Sequence, residues 1–233
     1  MLYLNVVIAT FSSLIIQICT KSLCFNSQII SIFAPMYLIF HTAGVGKPLS
    51  WKARVDEVFN WPRLLHLSWI VLGKDLKPLE DYNCIIRPSG FEVTEEIAKN
   101  HSLELPDIEK GEDLNSVLDS FEASANKCRY IFSHNLKLNS SILGAEFIRA
   151  DRKNPFSRIE TYCIMQEGTF YCKLRGKRGG YKWPSLQEMH SLIFKQQYSP
   201  AYNARADVVA AARCFIALMK VGAFEDIFDE EEV

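Results

Sequence analysis

The densest group of residues that could do chemistry is a basic segment between Cys172 and Trp183. Ten consecutive residues of this segment contain five lysines and arginines, and the segment also has two aromatic residues and three glycines. Lysine and arginine neutralise phosphates and aromatic rings stack on nucleobases, so the segment predicts a flexible arm for nucleic acid. Its predicted binding residues are Lys177, Arg178 and Lys182, with Tyr181 or Trp183 for stacking. The alternative, a solvated loop in which Trp183 packs under the following helix, stays open on sequence alone.

The cysteines and isolated histidines do not predict a metal site. The seven cysteines form an odd set without a Cys-x-x-Cys pair, and Cys/His pairs at ligand spacing are absent. Free and mostly buried thiols in a reducing compartment are therefore expected, and the predicted location is cytoplasmic. His66, His101 and His190 have no motif around them, which favours surface roles or satisfied core positions.

The elements that must position these residues are strands first and then strands alternating with helices. Apolar segments predict strands at residues 36–40, 64–72, 82–87, 129–132 and 159–165. Helical spacing predicts a helix that begins after Asp113, one around residues 142–147, and two more at 185–194 and 206–220. This order indicates an α/β sheet with helices on its faces, formed as a single domain over residues 36–224.

Composition places the chain among ordinary globular proteins. It has 233 residues, of which 48% are hydrophobic, and a formal net charge of −1. These values exclude disordered, collagen-like and disulfide-scaffold classes, and they give no overall sign of a basic nucleic-acid binder. The charge is uneven, however, because residues 41–224 are mildly basic and residues 225–233 form an acidic tail that is expected to stay solvated.

Residues 1–35 form an apolar extension ahead of the domain. Residues 1–20 carry no charge, and about 20 apolar residues suffice to span a bilayer. Polar residues dilute this stretch, and no basic residues precede it, which argues against a signal peptide. A dispensable or mis-assigned extension before Met36 is favoured, and a membrane anchor through residues 1–20 stays open as the alternative.

Six segments of the domain carry a family resemblance. They are MYLIFHTAGVGKPLSW, NWPRLLHLSWIVL, YNCIIRPSGF, SHNLKLNSSILGAEF, YKWPSLQEMH and YNARADVVAAARCF, and the resemblance that they carry runs over nearly all of residues 36–222. Taken in this order they resemble the DEDDh 3′–5′ exonucleases, the family of DnaQ-like proofreading subunits. The resemblance implies a ribonuclease-H-like fold, a mixed sheet flanked by helices, that acts on nucleic acid 3′ ends. It also implies two Mg²⁺ or Mn²⁺ ions held by four carboxylates, with a histidine as general base.

Four of the five catalytic positions that the resemblance implies are substituted. The Asp-x-Glu of the first motif reads His41-Thr42-Ala43, and the aspartate of the second motif is Asn139, after a matching His134 and Asn135. Tyr202 stands in place of the general base of the third motif. Only Asp207 matches, as the candidate catalytic and metal-binding residue, with a helix-dipole partner as its alternative role.

The sequence therefore predicts a nucleic-acid-binding pseudo-exonuclease that holds no metal tightly, because one carboxylate cannot neutralise two divalent cations. Thr42, Gly46, His134 and Asn135 are expected to bind a single-stranded 3′ end together with the basic segment. Two alternatives stay open. One is an active Mg²⁺- or Mn²⁺-dependent DNA exonuclease that recruits Asp56, Glu57 or Glu146 as ligands. The other is an interaction module with a protein partner.

Overall fold

The computed structural model describes residues 36–177, 179–225 and 227–228, which belong to one compact unit. The apolar extension with its alternative membrane anchor, Arg178 and most of the acidic tail lie outside the described residues. Within the described part of the chain, no helix is long and apolar enough to cross a membrane.

Five strands form a mixed sheet in the order β3-β2-β1-β4-β5. Strands β1, β2 and β3 pair antiparallel, whereas β1, β4 and β5 pair in parallel. This arrangement is the ribonuclease-H-like sheet that the sequence predicts. The strands are β1 (Tyr37–Val45), β2 (Arg63–Leu72), β3 (Pro78–Ile85), β4 (Tyr130–Ser133) and β5 (Glu160–Cys163).

Helices cover both faces of the sheet. The predicted cap of the helix at Leu114 is confirmed, because Asp113 Oδ1 accepts hydrogen bonds from the backbone N–H groups of Asn115 and Ser116. Two short 3-10 helices lie at Val58–Asn60 and Pro155–Ser157. The α-helices are α1 (Glu95–Asn100), α2 (Leu105–Glu109), α3 (Leu114–Ala125), α4 (Leu136–Arg149), α5 (Ile164–Glu167), α6 (Thr169–Cys172), α7 (Leu186–Phe194) and α8 (Ala204–Met219).

Strand β1 supplies both halves of the core, since successive side chains of a strand point to opposite faces. Tyr37 and Ile39 belong to the cluster that contains Phe215 of α8. Leu38 and Phe40 belong to the cluster on the other face, which α3 and α4 cover. The five cysteines in the described residues are buried and free, in agreement with the sequence prediction: Cys84, Cys128, Cys163, Cys172 and Cys214.

Three predicted boundaries are wrong. Strand β1 does not end at Phe40 but continues to Val45, because residues 41–45 pair with β2. Strand β3 begins at Pro78 rather than at residue 82, since this edge strand is mostly exposed and lacks the apolar pattern of a buried strand. The strand predicted at 159–165 ends at Cys163, where the short helix α5 begins. The sequence analysis also missed the small helices α1 and α2.

Candidate nucleic-acid cleft

A cleft of about 570 Å³ opens at the end of the parallel pairing between β1 and β4, where β4 ends at Ser133 and β1 continues to Val45. It brings together residues from all three motifs, because β1 supplies His41, the β4–α4 junction supplies His134 and Asn135, and the segment before α8 supplies Tyr202. Another wall is formed by the segment that leads into α7, with Lys182 and Trp183, and by Glu188 on the first turn of α7. A volume of this size is typical of a site for one small ligand.

Asn139 lies on the first turn of α4, and both the oxygen and the nitrogen of its side-chain amide form hydrogen bonds within the protein. Its Oδ1 accepts hydrogen bonds from the backbone N–H of Thr42 (2.9 Å) and from the Thr42 hydroxyl (2.7 Å). Its Nδ2 donates to the carbonyl oxygens of His134 (2.8 Å) and Asn135 (3.4 Å). Asn139 is 1% exposed. The amide therefore ties β1 to the turn between β4 and α4, a task that needs both a donor and an acceptor.

Asp207 is a buried carboxylate on the first turn of α8. The Tyr198 hydroxyl donates to its Oδ1 over 2.7 Å, and its Oδ2 lies 3.6 Å from Nδ1 of His41. That second distance is longer than a hydrogen bond, and His41 Nδ1 is buried without a hydrogen-bond partner. Burial raises the pKa of Asp207 to about 6, although the hydrogen bond from Tyr198 acts in the opposite direction.

The two histidines of the cleft are uncharged at neutral pH. Burial lowers the pKa of His41 to about 4 and lowers that of His134 to about 4. His134 Nε2 donates to the carbonyl oxygen of Pro184 over 3.0 Å, which fixes the ring against the entrance to α7. The lining of the cleft therefore includes two neutral imidazoles, and the buried carboxylate of Asp207 lies 3.6 Å from that of His41.

His41 and His134 are expected to stay neutral until the pH falls below about 5, because their surroundings exclude water from the charged ring. An NMR titration of the histidine C2 protons measures this directly, and His41→Gln assigns the His41 resonance. A midpoint for His41 near the ordinary value of about 6.5 would contradict the expectation, since the neighbouring carboxylate of Asp207 would then be holding an imidazolium.

Tyr202 lies at the mouth of the cleft and is 75% exposed. Its backbone has a φ of +65°, a left-handed conformation that non-glycine residues seldom adopt. The ring of His101 holds this segment, with Nδ1 2.8 Å from the carbonyl oxygen of Tyr202 and Nε2 3.1 Å from that of Gly44. The side chain of Asn203 adds a hydrogen bond to the backbone oxygen of His101.

His101 is a positioning residue that the sequence analysis missed. It reaches the edge of the cleft from the end of α1 and joins the end of β1 to the segment before α8. No motif surrounds it, and its partners lie 57 and 101 residues away in the chain. Sequence spacing gives no signal for such a contact.

The other predicted binding residues lie at different depths. Lys182 lines the cleft, where its ammonium group pairs with Glu188. Thr42 is buried behind Asn139, and Gly46 is an exposed turn residue with a φ of +91°. Trp183 is 60% exposed and lines the cleft, so the interpretation that it packs under the next helix is wrong.

The carboxylates considered as compensating ligands are engaged elsewhere. Glu146 is fully buried, and its Oε1 accepts from Arg63 Nε and from the backbone N–H of Leu64, both at 2.9 Å. Asp56 pairs with Arg54 on the surface, and Glu57 accepts the backbone N–H of Arg54. None of the three lines the cleft.

The cleft does not fit a pair of hard divalent cations. Such ions need several oxygen ligands. The side-chain oxygen of Asn139, however, already accepts a hydrogen bond from Thr42, and one oxygen of Asp207 accepts a hydrogen bond from Tyr198. The nearest remaining ligand atoms are Asp207 Oδ2 and His41 Nδ1, which lie 3.6 Å apart, and the backbone of Tyr202 also hydrogen-bonds to the Asp207 carboxylate. Across the described residues, no group of three or more His, Cys, Asp or Glu side chains is arranged to hold a metal ion.

Comparison with known proteins identifies the architecture. No family model matches the chain, and no curated protein sequence matches it. Among solved structures, the nuclease domain of 3′hExo, a DEDDh family member, bound to rAMP superposes with a TM-score of 0.60 and 12% identity, covering 82% of this chain and 94% of that one. The chain has the DEDDh exonuclease fold.

Two further matches show how far the exonuclease fold extends. E. coli Exonuclease I in complex with a dT13 oligonucleotide matches with a TM-score of 0.63 and 13% identity, over 84% of this chain and 43% of that chain. A full-length 3′-exonuclease matches with a TM-score of 0.62 and 13% identity, over 82% of this chain and 84% of that one. The present chain thus spans less than half the length of Exonuclease I, and identities this low establish the exonuclease fold alone.

Proposed function

We propose that this domain binds the 3′ end of a single-stranded nucleic acid in the cleft without hydrolysing it. The observation that carries the proposal is the amide of Asn139, whose oxygen and nitrogen are both used to hold the backbone around the cleft. In the exonuclease pattern this position supplies a metal-binding carboxylate. An amide that is hydrogen-bonded to both β1 and the turn between β4 and α4 cannot take that role.

The remaining cleft residues also argue against hydrolysis. Asp207 is the one carboxylate of the pattern that this chain retains, and a single carboxylate provides too little charge for two divalent ions. Tyr202 presents a ring and a hydroxyl where the pattern has an imidazole base, and loss of a general base alone typically costs about 10²- to 10⁴-fold in rate. The combined substitutions remove both the metal ligands and the base.

Binding is supported by the shape and chemistry of the cleft. Its volume suits one nucleotide, and exposed aromatic side chains of Trp183 and Tyr202 lie at its walls. Structures with the same fold include complexes of Exonuclease I with dT13 and of a 3′-exonuclease described by its recognition of the histone mRNA stem-loop. The first of these complexes contains DNA and the second protein recognises RNA, so the proposal covers single strands of either kind.

The test is a binding and degradation assay on the full chain with an end-labelled single strand, in Mg²⁺ and in Mn²⁺. We expect a complex and no shortening of the strand. A circular strand of the same sequence is the matched control, and its affinity is expected to be at least about tenfold lower, since it lacks a 3′ end. Shortening that co-purifies with the protein and disappears in Asp207→Ala would sink the proposal of a non-hydrolytic cleft. Failure to bind either strand would contradict the proposal and favour the alternative of a module that binds a protein partner.

A further inference from the structure

A second groove, of about 770 Å³, adjoins the cleft and shares three lining residues with it: Asn135, Met165 and Trp183. We call it the aromatic groove. Trp51, from the loop after β1, is the other large aromatic residue that lines it. Trp51 is 56% exposed and Trp183 is 60% exposed, so both indole rings are open to solvent. The aromatic groove therefore continues the cleft along an open, ring-bearing surface.

The aromatic groove carries positive charge and no carboxylate. Its lining includes Lys137, and none of its lining residues in the described chain is acidic. Lys137 Nζ donates to the backbone oxygen of Ala53 over 3.3 Å and lies 5.2 Å from the centre of the Trp61 ring. Both partners are neutral in formal charge, so the ammonium group is held in place while its charge stays available to an anion.

The basic segment adjoins Trp183, since the backbone N–H of Lys182 donates to the carbonyl oxygen of Leu174 over 2.8 Å. Lys173, Arg175 and Lys177 precede Trp183 in the chain, and within the described residues none of them forms an ion pair with a carboxylate. Rings that are open to solvent, together with cations that lack acidic partners, suit a single strand, because bases stack on rings while phosphates meet the cations. A purely apolar protein segment would leave these cations without a counter-charge.

We propose that the aromatic groove binds a nucleobase of the strand whose 3′ end occupies the cleft, stacked on Trp51 and Trp183, with the adjoining phosphate near Lys137. This inference rests on the proposed function, and it extends that function from one nucleotide to a run of the strand. Stacking is tolerant of base identity, so the groove adds affinity and length dependence without sequence preference.

Tryptophan fluorescence tests the proposal, because the chain has four tryptophans and only two line the groove. Trp61 and Trp69 are buried, at 2% and 0% exposure. We expect an oligothymidylate to quench the emission of Trp51 and Trp183, and Trp51→Leu to remove part of that quenching. The same substitution is expected to weaken binding of the oligonucleotide about tenfold, and to weaken binding of a single mononucleotide much less.

Phe59→Leu is the matched control, since Phe59 is 94% exposed and lines neither the cleft nor the aromatic groove. Circular dichroism of each variant checks that the fold is intact. If the oligonucleotide binds but leaves the fluorescence unchanged, or binds Trp51→Leu as tightly as the unmodified protein, the inference is overturned while the proposed function stands. If the unmodified protein binds no strand at all, the proposed function itself fails.

Discussion

Replacing Asn139 by aspartate is expected to lower the free energy of unfolding by about 3–5 kcal/mol at neutral pH. The substitution restores the carboxylate of the exonuclease pattern, but it removes the Nδ2 donor. A charged oxygen would then face the carbonyl oxygens of His134 and Asn135, which the amide nitrogen now contacts at 2.8 and 3.4 Å. The site is almost completely buried, so water cannot compensate the charge.

Urea unfolding of both proteins at several pH values measures this effect. Burial and the facing carbonyl oxygens raise the pKa of the new carboxyl in the folded state above its unfolded value. The penalty is therefore absent below the unfolded pKa, grows as the pH rises, and is complete above the folded pKa. The difference between the two proteins should thus shrink in acid, where a protonated carboxyl can donate again.

Asn135→Asp is the control for this experiment, because it makes the same chemical change four residues earlier. The side chain of Asn135 makes no capping hydrogen bond at the start of α4 and is only half-buried. Its replacement is expected to change stability by less than about 0.5 kcal/mol. Equal stability of Asn139→Asp and the unmodified protein would contradict the structural role of the amide.

Replacing Asp207 by asparagine is expected to stabilise the protein by about 2–3 kcal/mol at pH values above the folded-state pKa of this carboxyl. Burial raises the pKa of Asp207 to about 6 from its ordinary value of 3.8, so its ionised form is disfavoured in the folded state. Stability from this group is therefore fully present below the unfolded pKa and is lost as the pH rises through the folded pKa. Asparagine keeps an oxygen that can accept the hydrogen bond from Tyr198, and it carries no charge.

The measurement is again unfolding as a function of pH, with the gain vanishing below about pH 4, where both side chains are neutral. Asp113→Asn is the matched control, since Asp113 is an exposed cap of α3 and asparagine caps a helix about as well as aspartate. A less stable Asp207→Asn protein at neutral pH would contradict the expectation. It would mean that Asp207 is stabilised by a cation, and His41 is the basic group nearest to its Oδ2.

The buried strands of the sheet could be predicted because a buried strand has a continuous run of apolar residues in the sequence. Strand β2 is apolar on both faces, and all of its residues after Arg63 are buried, as expected for a strand covered by helices on either side. The edge strand β3 lacks this apolar run, because most of its residues face solvent. Its predicted first residue was therefore wrong. Helices α1 and α2 have only six and five residues, too short to show a helical repeat.

The cleft was only partly predictable, because its contacts join distant parts of the chain. The motif order places Asn139 and Asp207 at the cleft, but their partners follow from folding alone. Thr42 lies 97 residues from Asn139, and Trp51 has no motif that relates it to Trp183. The sequence shows which residue types stand at the motif positions, whereas the structure shows that the amide of Asn139 hydrogen-bonds to Thr42 and His134.

The closing aromatic contacts of the core also affect how the protein can be made. Tyr37 stands at the start of β1, and its ring packs against Phe215 of α8 and against Phe228, at centroid distances of 5.5 and 5.6 Å. During synthesis, the apolar face of β1 therefore cannot pack against its final partners until nearly the whole domain has left the ribosome. Over that interval the nascent chain exposes apolar surface. We therefore expect chaperones to bind it and the fold to be completed slowly after translation.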